Sequence, residues 1–270
     1  MPNSLPNKIL TWLETQGYPL EMRVSRAFQQ GGFHVVQSDY YQDRETEELR
    51  EADVVAGLQK VIGNILLRVT CVIECKSSNS KPWVLFASDR KLSAPARVTQ
   101  RAGNYLAQAF LDGVCKHAEV QSLPILQVPA KPAYGMTQAF TSGADICYAA
   151  AMSVANAALG YSFRDEPITH KRSAPDLLEI VFPIIVTEAS LFSAHLEKDS
   201  SISLKEEKAG LLLWRKQIVG MPHTIVHVVT ASHLKDFVDD ASASAQRLIE
   251  LCEGELRPKL AQAHKRWRAV

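Results

Sequence analysis

The sequence predicts an α/β domain with a mixed central sheet flanked by helices. Three observations carry that expectation. The segment Glu51 to Lys76 has the alternation and the turn residues of a β-hairpin, Leu178–Thr187 reads as a strong buried strand, and stretches of helical periodicity stand on either side of both. Strand and helix signals interleaved in this way build a sheet covered by helices.

The 270 residues are enough for one large domain, and 1–270 is read as a single unit, with its chemistry in a motif region, 18–112, and insertions and remaining elements over 113–270. Apolar residues make up 46% and charged residues 22%, which excludes a disordered chain. The most apolar stretches, around Ile180–Val186 and Ala149–Leu159, are too short or too mixed to span a bilayer. No basic flank precedes an apolar core near Pro2, Pro6 and Glu14, so a secretory signal is not expected and the cytoplasm is. Cys71, Cys75, Cys115, Cys147 and Cys252 form no CxxC pair and are expected as reduced, mostly buried thiols. A formal charge of +1 means that any polyanion must be met by a local patch.

In chain order, Leu5 to Leu13 predicts a short helix broken by Gly17, Tyr18 and Pro19. A second follows, with Leu20, Val24, Ala27 and Phe28 at helical spacing and Gly31-Gly32 as its stop. Phe33–Val36 reads as a strand and Asp39–Glu51 as a polar loop, its acidic run solvated. After the hairpin, Pro82–Ala87 predicts a short strand, Val98–Leu111 a helix, Ser122–Pro132 mostly loop, and Ser142–Leu159 a buried helix. A polar connection through His170, Lys171 and Arg172 leads to the strand Leu178–Thr187. Leu211–Ile218 and Thr224–Thr230 are two further strands, and Leu234–Cys252 an amphipathic helix.

The hairpin carries the most information. Gly63-Asn64 is a two-residue turn signal, so Ile62 faces Ile65 and every cross-strand pair sums to 127. That register sets Asp53 opposite Glu74. Alternation puts Arg68, Thr70, Val72, Glu74 and Lys76 on one face and Leu67, Val69, Cys71, Ile73 and Cys75 on the other, the apolar one turned inward.

Two carboxylates opposite one another repel by roughly 0.2–1 kcal/mol, a sign that a bound divalent cation reverses. Lys76, two residues beyond Glu74, projects from the same face about 7 Å further on. There its ammonium reaches a metal-bound water, to orient it or help deprotonate it, and a phosphate gathering charge.

With these residues, Glu51-Ala-Asp53-Val-Val followed by Val72-Ile-Glu74-Cys-Lys76-Ser-Ser resembles the Asp…Glu-x-Lys core of the PD-(D/E)xK, or restriction-endonuclease-like, nuclease superfamily. Pro19-Leu-Glu21 matches the further glutamate that many members carry in the first core helix, and Ala52 stands where the family name has proline. The resemblance covers Leu20–Ser78. It implies a restriction-endonuclease-like αβββαβ core, enlarged here by insertions and a C-terminal strand-helix extension. It also implies Mg²⁺ or Mn²⁺ held by Glu21, Asp53, Glu74 and the Cys75 carbonyl, with Lys76 assisting the water. The activity implied is that of a Mg²⁺-dependent endo- or exodeoxyribonuclease of a bacterial restriction, anti-phage or DNA-processing system. DNA is then the expected partner, with RNA, further copies of the chain and other subunits of such a system left open, and no membrane.

Each residue also has a plain structural reading. Glu21 in a first helical turn gains about 0.3–1 kcal/mol from the helix dipole. Asp53 reads equally as a strand-edge charge, and Glu74 with Lys76 as an ion pair worth roughly 0–1 kcal/mol. Their conjunction favours a site. A non-cleaving nuclease-like module that binds nucleic acid or protein is the alternative. His223 and His227 read as core or rim histidines. Arg97, Gln100 and Arg101, His170-Lys-Arg172 and His264-Lys-Arg-Trp-Arg268 are candidates for phosphate contacts, with a solvated basic surface as the plainer reading. No GxxxxGK[ST] or GxGxxG pattern supports nucleotide chemistry.

Overall fold

The structure, a computed structural model, describes residues 4–77, 81–89, 91–127, 131–143, 145–163, 176–214 and 224–267. The first part of the chain runs α1 (Leu5–Leu13), α2 (Tyr18–Gln30), β1 (His34–Gln42), β2 (Leu49–Ile62) and β3 (Ile65–Lys76). Next come β4 (Trp83–Ala87), α3 (Ala94–Thr99), β5 (Ala102–Gly103), α4 (Tyr105–Val114), α5 (Ala118–Gln121) and β6 (Ala133–Gln138). The rest is α6 (Ile146–Ser162), β7 (Asp176–Thr187), β8 (Leu191–Leu196), β9 (Ile202–Glu207), β10 (Ala209–Trp214), β11 (Thr224–Thr230) and α7 (Leu234–Trp267).

One mixed sheet joins the strands in the order β1-β2-β3-β7-β11-β10-β6-β4-β8-β9, with β5 paired to β7. The antiparallel β2–β3 ladder keeps the 127 register from Ile62↔Ile65 to Val54↔Ile73. β7 runs parallel to β3 along its whole length, from Ile65↔Asp176 to Lys76↔Thr187.

Helices cover both faces. On one, Leu67, Val69, Cys71, Ile73 and Cys75 of β3 pack with Leu20, Val24 and Phe28 of α2, Leu111 of α4 and Val238 of α7. On the other, Val72 and Val181 lie under Ala150, Ala151, Val154 and Ala158 of α6. Strands buried on both sides need apolar side chains in nearly every position, which is why β3 and β7 read so strongly from sequence. The second face of β3 is therefore no open surface: Thr70 and Val72 are each 1% exposed.

The sequence expectations fail in identifiable places. Residues 39–51 are not a long loop, because β1 runs to Gln42 and β2 starts at Leu49. Asp43 closes the short connection by accepting the Glu45 and Thr46 N–H groups at Oδ1, and it is buried rather than solvated, with Arg50 and Asn156 on Oδ2. The single helix expected over Val98–Leu111 is two helices separated by β5. A Cβ at Gly103 would lie 2.8 Å from the Glu179 carbonyl oxygen, so the chain passes too close to β7 for any side chain there. Asn104 then starts α4 by accepting the Ala107 N–H and donating to the Leu177 carbonyl.

Strands β6, β8 and β9 had no counterpart in the sequence reading. β9 is a largely exposed strand at the end of the sheet, with too little apolar alternation to register. α7 continues beyond Cys252 to Trp267. His170–Arg172, Ile218, His223, Arg268 and the side chains of 264–267 lie outside the described residues. The five cysteines are free and buried. No helix among the described residues is long and apolar enough to cross a membrane.

Candidate active site

The four residues singled out by sequence meet at one corner, where α2 begins and β2 and β3 approach its N-terminal turn. Ala52 packs on the α6 side with Val55, although Val54 between them faces the opposite cluster, so the alternation slips at Asp53. Opposite it in β1, Ser38 takes a positive φ of 52° between the regular pairs Gln37↔Val54 and Asp39↔Ala52. Freed from a regular pair, the Asp53 side chain takes over a ladder position: its Oδ2 accepts the Cys75 N–H at 2.7 Å.

Glu74 is buried, with both oxygens engaged. Lys76 Nζ donates to Oε1 at 2.5 Å, and Ser153 Oγ of α6 donates to Oε2 at 2.8 Å. Glu21 sits in the first turn of α2 after Pro19. Its Oε1 lies 3.6 Å and Ser77 Oγ 3.9 Å from where a Cβ at Gly17 would stand, so the helix start, Glu21 and the residue after Lys76 crowd together.

The acid–base balance of the corner reflects the same crowding. Burial first, and the Glu74 carboxylate second, push Asp53 up from 3.8 to about 6, against the Cys75 N–H and Lys76, which pull it down. Glu21 is raised by burial and by Glu51 and Glu74. Burial opposes the charge of Lys76, but the Glu74 and Asp53 carboxylates outweigh it and hold the ammonium above its ordinary value. Lys76 is thus held as a cation beside Glu74.

The donors are hard carboxylate oxygens carrying more negative charge than one lysine offsets, and they fit a divalent cation such as Mg²⁺ or Mn²⁺ in chemistry. They are not drawn into a closed cluster. Among the described residues, no group of three or more His, Cys, Asp or Glu side chains is gathered closely enough to hold a metal ion. Glu74 leans instead on Lys76 and Ser153.

The sequence reading missed the polar layer behind Glu74. Ser153 and Asn156 sit in the alanine-rich helix α6, and Tyr41 Oη donates to the Ser153 carbonyl at 3.4 Å. Asn156 Nδ2 donates to Asp43 at 3.0 Å, and Tyr161 Oη to Asp39 at 2.5 Å. Ser153 and Asn156, three apart in the middle of an alanine-rich buried helix, were the signal available.

Among the other candidates, Arg101 cannot contact DNA. It is 1% exposed, and its guanidinium donates to the carbonyls of Arg97 and Leu126 and to His227 Nε2. His227 is the core histidine expected, and burial beside Arg101 holds it well below its usual range. Compared with protein-family models, with curated proteins and with solved structures, the chain matches none.

Proposed function

We propose that the protein is a metal-dependent nuclease of the PD-(D/E)xK type that hydrolyses DNA phosphodiester bonds. The observation that carries the reading is the convergence of Asp53, Glu74 and Lys76 at one sheet end, with Glu21 brought beside them by a separate helix. The order α2-β1-β2-β3, followed after an insertion by α6-β7 with β7 parallel to β3, supports an αβββαβ core.

Glu21, Asp53 and Glu74, with the Cys75 carbonyl, would hold Mg²⁺ or Mn²⁺. When bound, such an ion polarises the phosphate and acidifies water. The chain's own groups do the positioning. The Cys75 N–H fixes the Asp53 carboxylate, Ser153 fixes Glu74, and the Lys76 ammonium donates to the attacking water or to the phosphate oxygens as charge develops on them. In the hydrolysis a water oxygen bonds to phosphorus, the bond from phosphorus to the leaving oxygen breaks, and that oxygen takes a proton. A place in a bacterial defence or DNA-processing system rests on analogy of fold alone.

The test is cleavage of plasmid, linear and single-stranded DNA, and of RNA, with Mg²⁺ or Mn²⁺, comparing the parent with Asp53→Ala and Lys76→Ala. Metal-dependent cleavage lost in both variants is expected, and equal activity in all three would sink the proposal. One observation favours a second reading: Glu74 is already neutralised by Lys76 and tied to Ser153. A non-cleaving nucleic-acid-binding module would leave every substrate intact while still retaining it.

A further inference from the structure

The outer face of α2 carries Arg23, Arg26 and Gln29 at intervals of three, turned away from the buried Leu20, Val24 and Phe28. With Met22, Ser25 and Gln37 of β1 they line a cleft of about 430 Å³ that has no acidic residue in its wall. The cleft opens beside the carboxylate corner. Gln37 pairs with Val54, the neighbour of Asp53, and Glu21 lies on the same helix two residues before Arg23.

Arg23 links the two. Its guanidinium pairs with Glu188, which follows β7 and whose N–H donates to the Lys76 carbonyl at 3.1 Å. Arg26 is exposed and has no carboxylate partner among the described residues. Three carboxylates repel a polyanion, and a chain of net charge +1 has no general field to offset that. Cations placed next to the carboxylates do. Arginine and glutamine side chains that line one groove are donors suited to phosphate oxygens, and only Arg23 among them is engaged by a carboxylate, that of Glu188, among the described residues.

We infer that the cleft between α2 and β1 seats the phosphodiester backbone next to the scissile bond, with Arg26 and Arg23 on successive phosphates and Gln29 and Gln37 as neutral donors. The inference rests on the nuclease reading of the adjoining corner. In the free protein Glu188 holds Arg23, and an arriving phosphate competes for it.

The experiment is binding of a short labelled DNA duplex with chelator present, so that no cleavage intervenes, across a salt series. For the Arg23→Ala/Arg26→Ala double variant, the slope of log K against log salt should be shallower by about 2, since each lost duplex contact removes about 0.9. Arg26→Lys should keep the parent slope, and Glu188→Gln should bind at least twofold more tightly. Unchanged unfolding midpoints establish that the exposed substitutions leave the fold intact. A parent that binds no duplex, or a double variant with the parent slope, overturns the cleft. Cleavage by the parent together with an unchanged slope would remove the cleft and leave the nuclease. A reduced slope in a protein that never cleaves would keep the cleft as a phosphate track and remove the nuclease.

Discussion

Replacing Asp53 by asparagine should stabilise the protein, and by an amount that depends on pH. In the fold this carboxyl titrates at about 6 rather than 3.8, chiefly because it is buried and faces Glu74. At 1.36 kcal/mol per pKa unit, the ionised form is disfavoured by up to roughly 3 kcal/mol, and partial exposure makes about 1–3 kcal/mol the expected range. The sign follows from linkage. Above pH 6 both folded and unfolded states carry the charge and the fold bears the full cost. As pH falls from 6 to 3.8 the folded state takes up the proton first, and below 3.8 the cost is gone. Asparagine keeps an oxygen for the Cys75 N–H and carries no charge, so it removes the cost without removing the contact. The assay is urea unfolding of parent and Asp53→Asn from pH 4 to pH 8 with chelator present. The variant should be more stable at pH 8, with the difference closing towards pH 4. At about 2–4 °C per kcal/mol, the gain at pH 8 is several degrees in Tm. Adding Mg²⁺ should raise the Tm of the parent and leave that of the variant nearly unmoved. A difference that is constant across the pH range, or a variant less stable throughout, would refute the argument that Asp53 is an electrostatically strained member of a charged corner.

Three further outcomes follow from the same contacts. Lys76→Met leaves Glu74 half-compensated in a buried place and should cost about 1–3 kcal/mol in chemical denaturation, while abolishing cleavage in a nuclease assay. Ser153→Ala removes the donor to Glu74 Oε2, at about 1 kcal/mol, and should lower turnover more than substrate affinity in steady-state kinetics, because it loosens a positioning contact. Gly103→Ala drives a methyl against the Glu179 carbonyl and should cost about 1–3 kcal/mol or more in thermal unfolding, with the fold unchanged by circular dichroism.

What could be read from the sequence divides along physical lines. The β2–β3 register was legible as far as Val54↔Ile73 because a two-residue Gly-Asn turn leaves one arrangement, whereas the expected Asp53–Glu74 pair lies beyond the last pair of the ladder. The elements β3, β7 and α6 were legible because burial on both faces or in a tight layer demands long apolar runs. The Asp53 environment was not, since the slip at Ser38 and Asp53 is a tertiary accommodation with no local signal. The break before α4 was carried by Gly103-Asn104, a glycine required by the close pass over β7 and an asparagine cap, which helical periodicity on either side obscured. The polar layer of Asp39, Asp43, Asn156 and Tyr161 escaped because a charged stretch is usually solvated, as residues 44–51 are, whereas α6 reaches over to bury Asp43 and to bond Asp39. β6, β8 and β9, at the far end of the sheet, lack the double-sided burial that writes a strand plainly into sequence.

Helix α6 touches Glu74 through a single hydroxyl, yet its small residues set where that hydroxyl stands. Ala150, Ala151, Ala155, Ala157 and Ala158 are buried, and a Cβ at Gly160 would fall 2.7 Å from the Tyr41 ring and 3.0 Å from the Gln42 carbonyl oxygen. The helix is therefore held at a fixed height over β1 and β3. A single added methylene along it would lift Ser153 from Glu74 without altering any charged group, so that uncharged positions decide whether the carboxylate corner holds its shape.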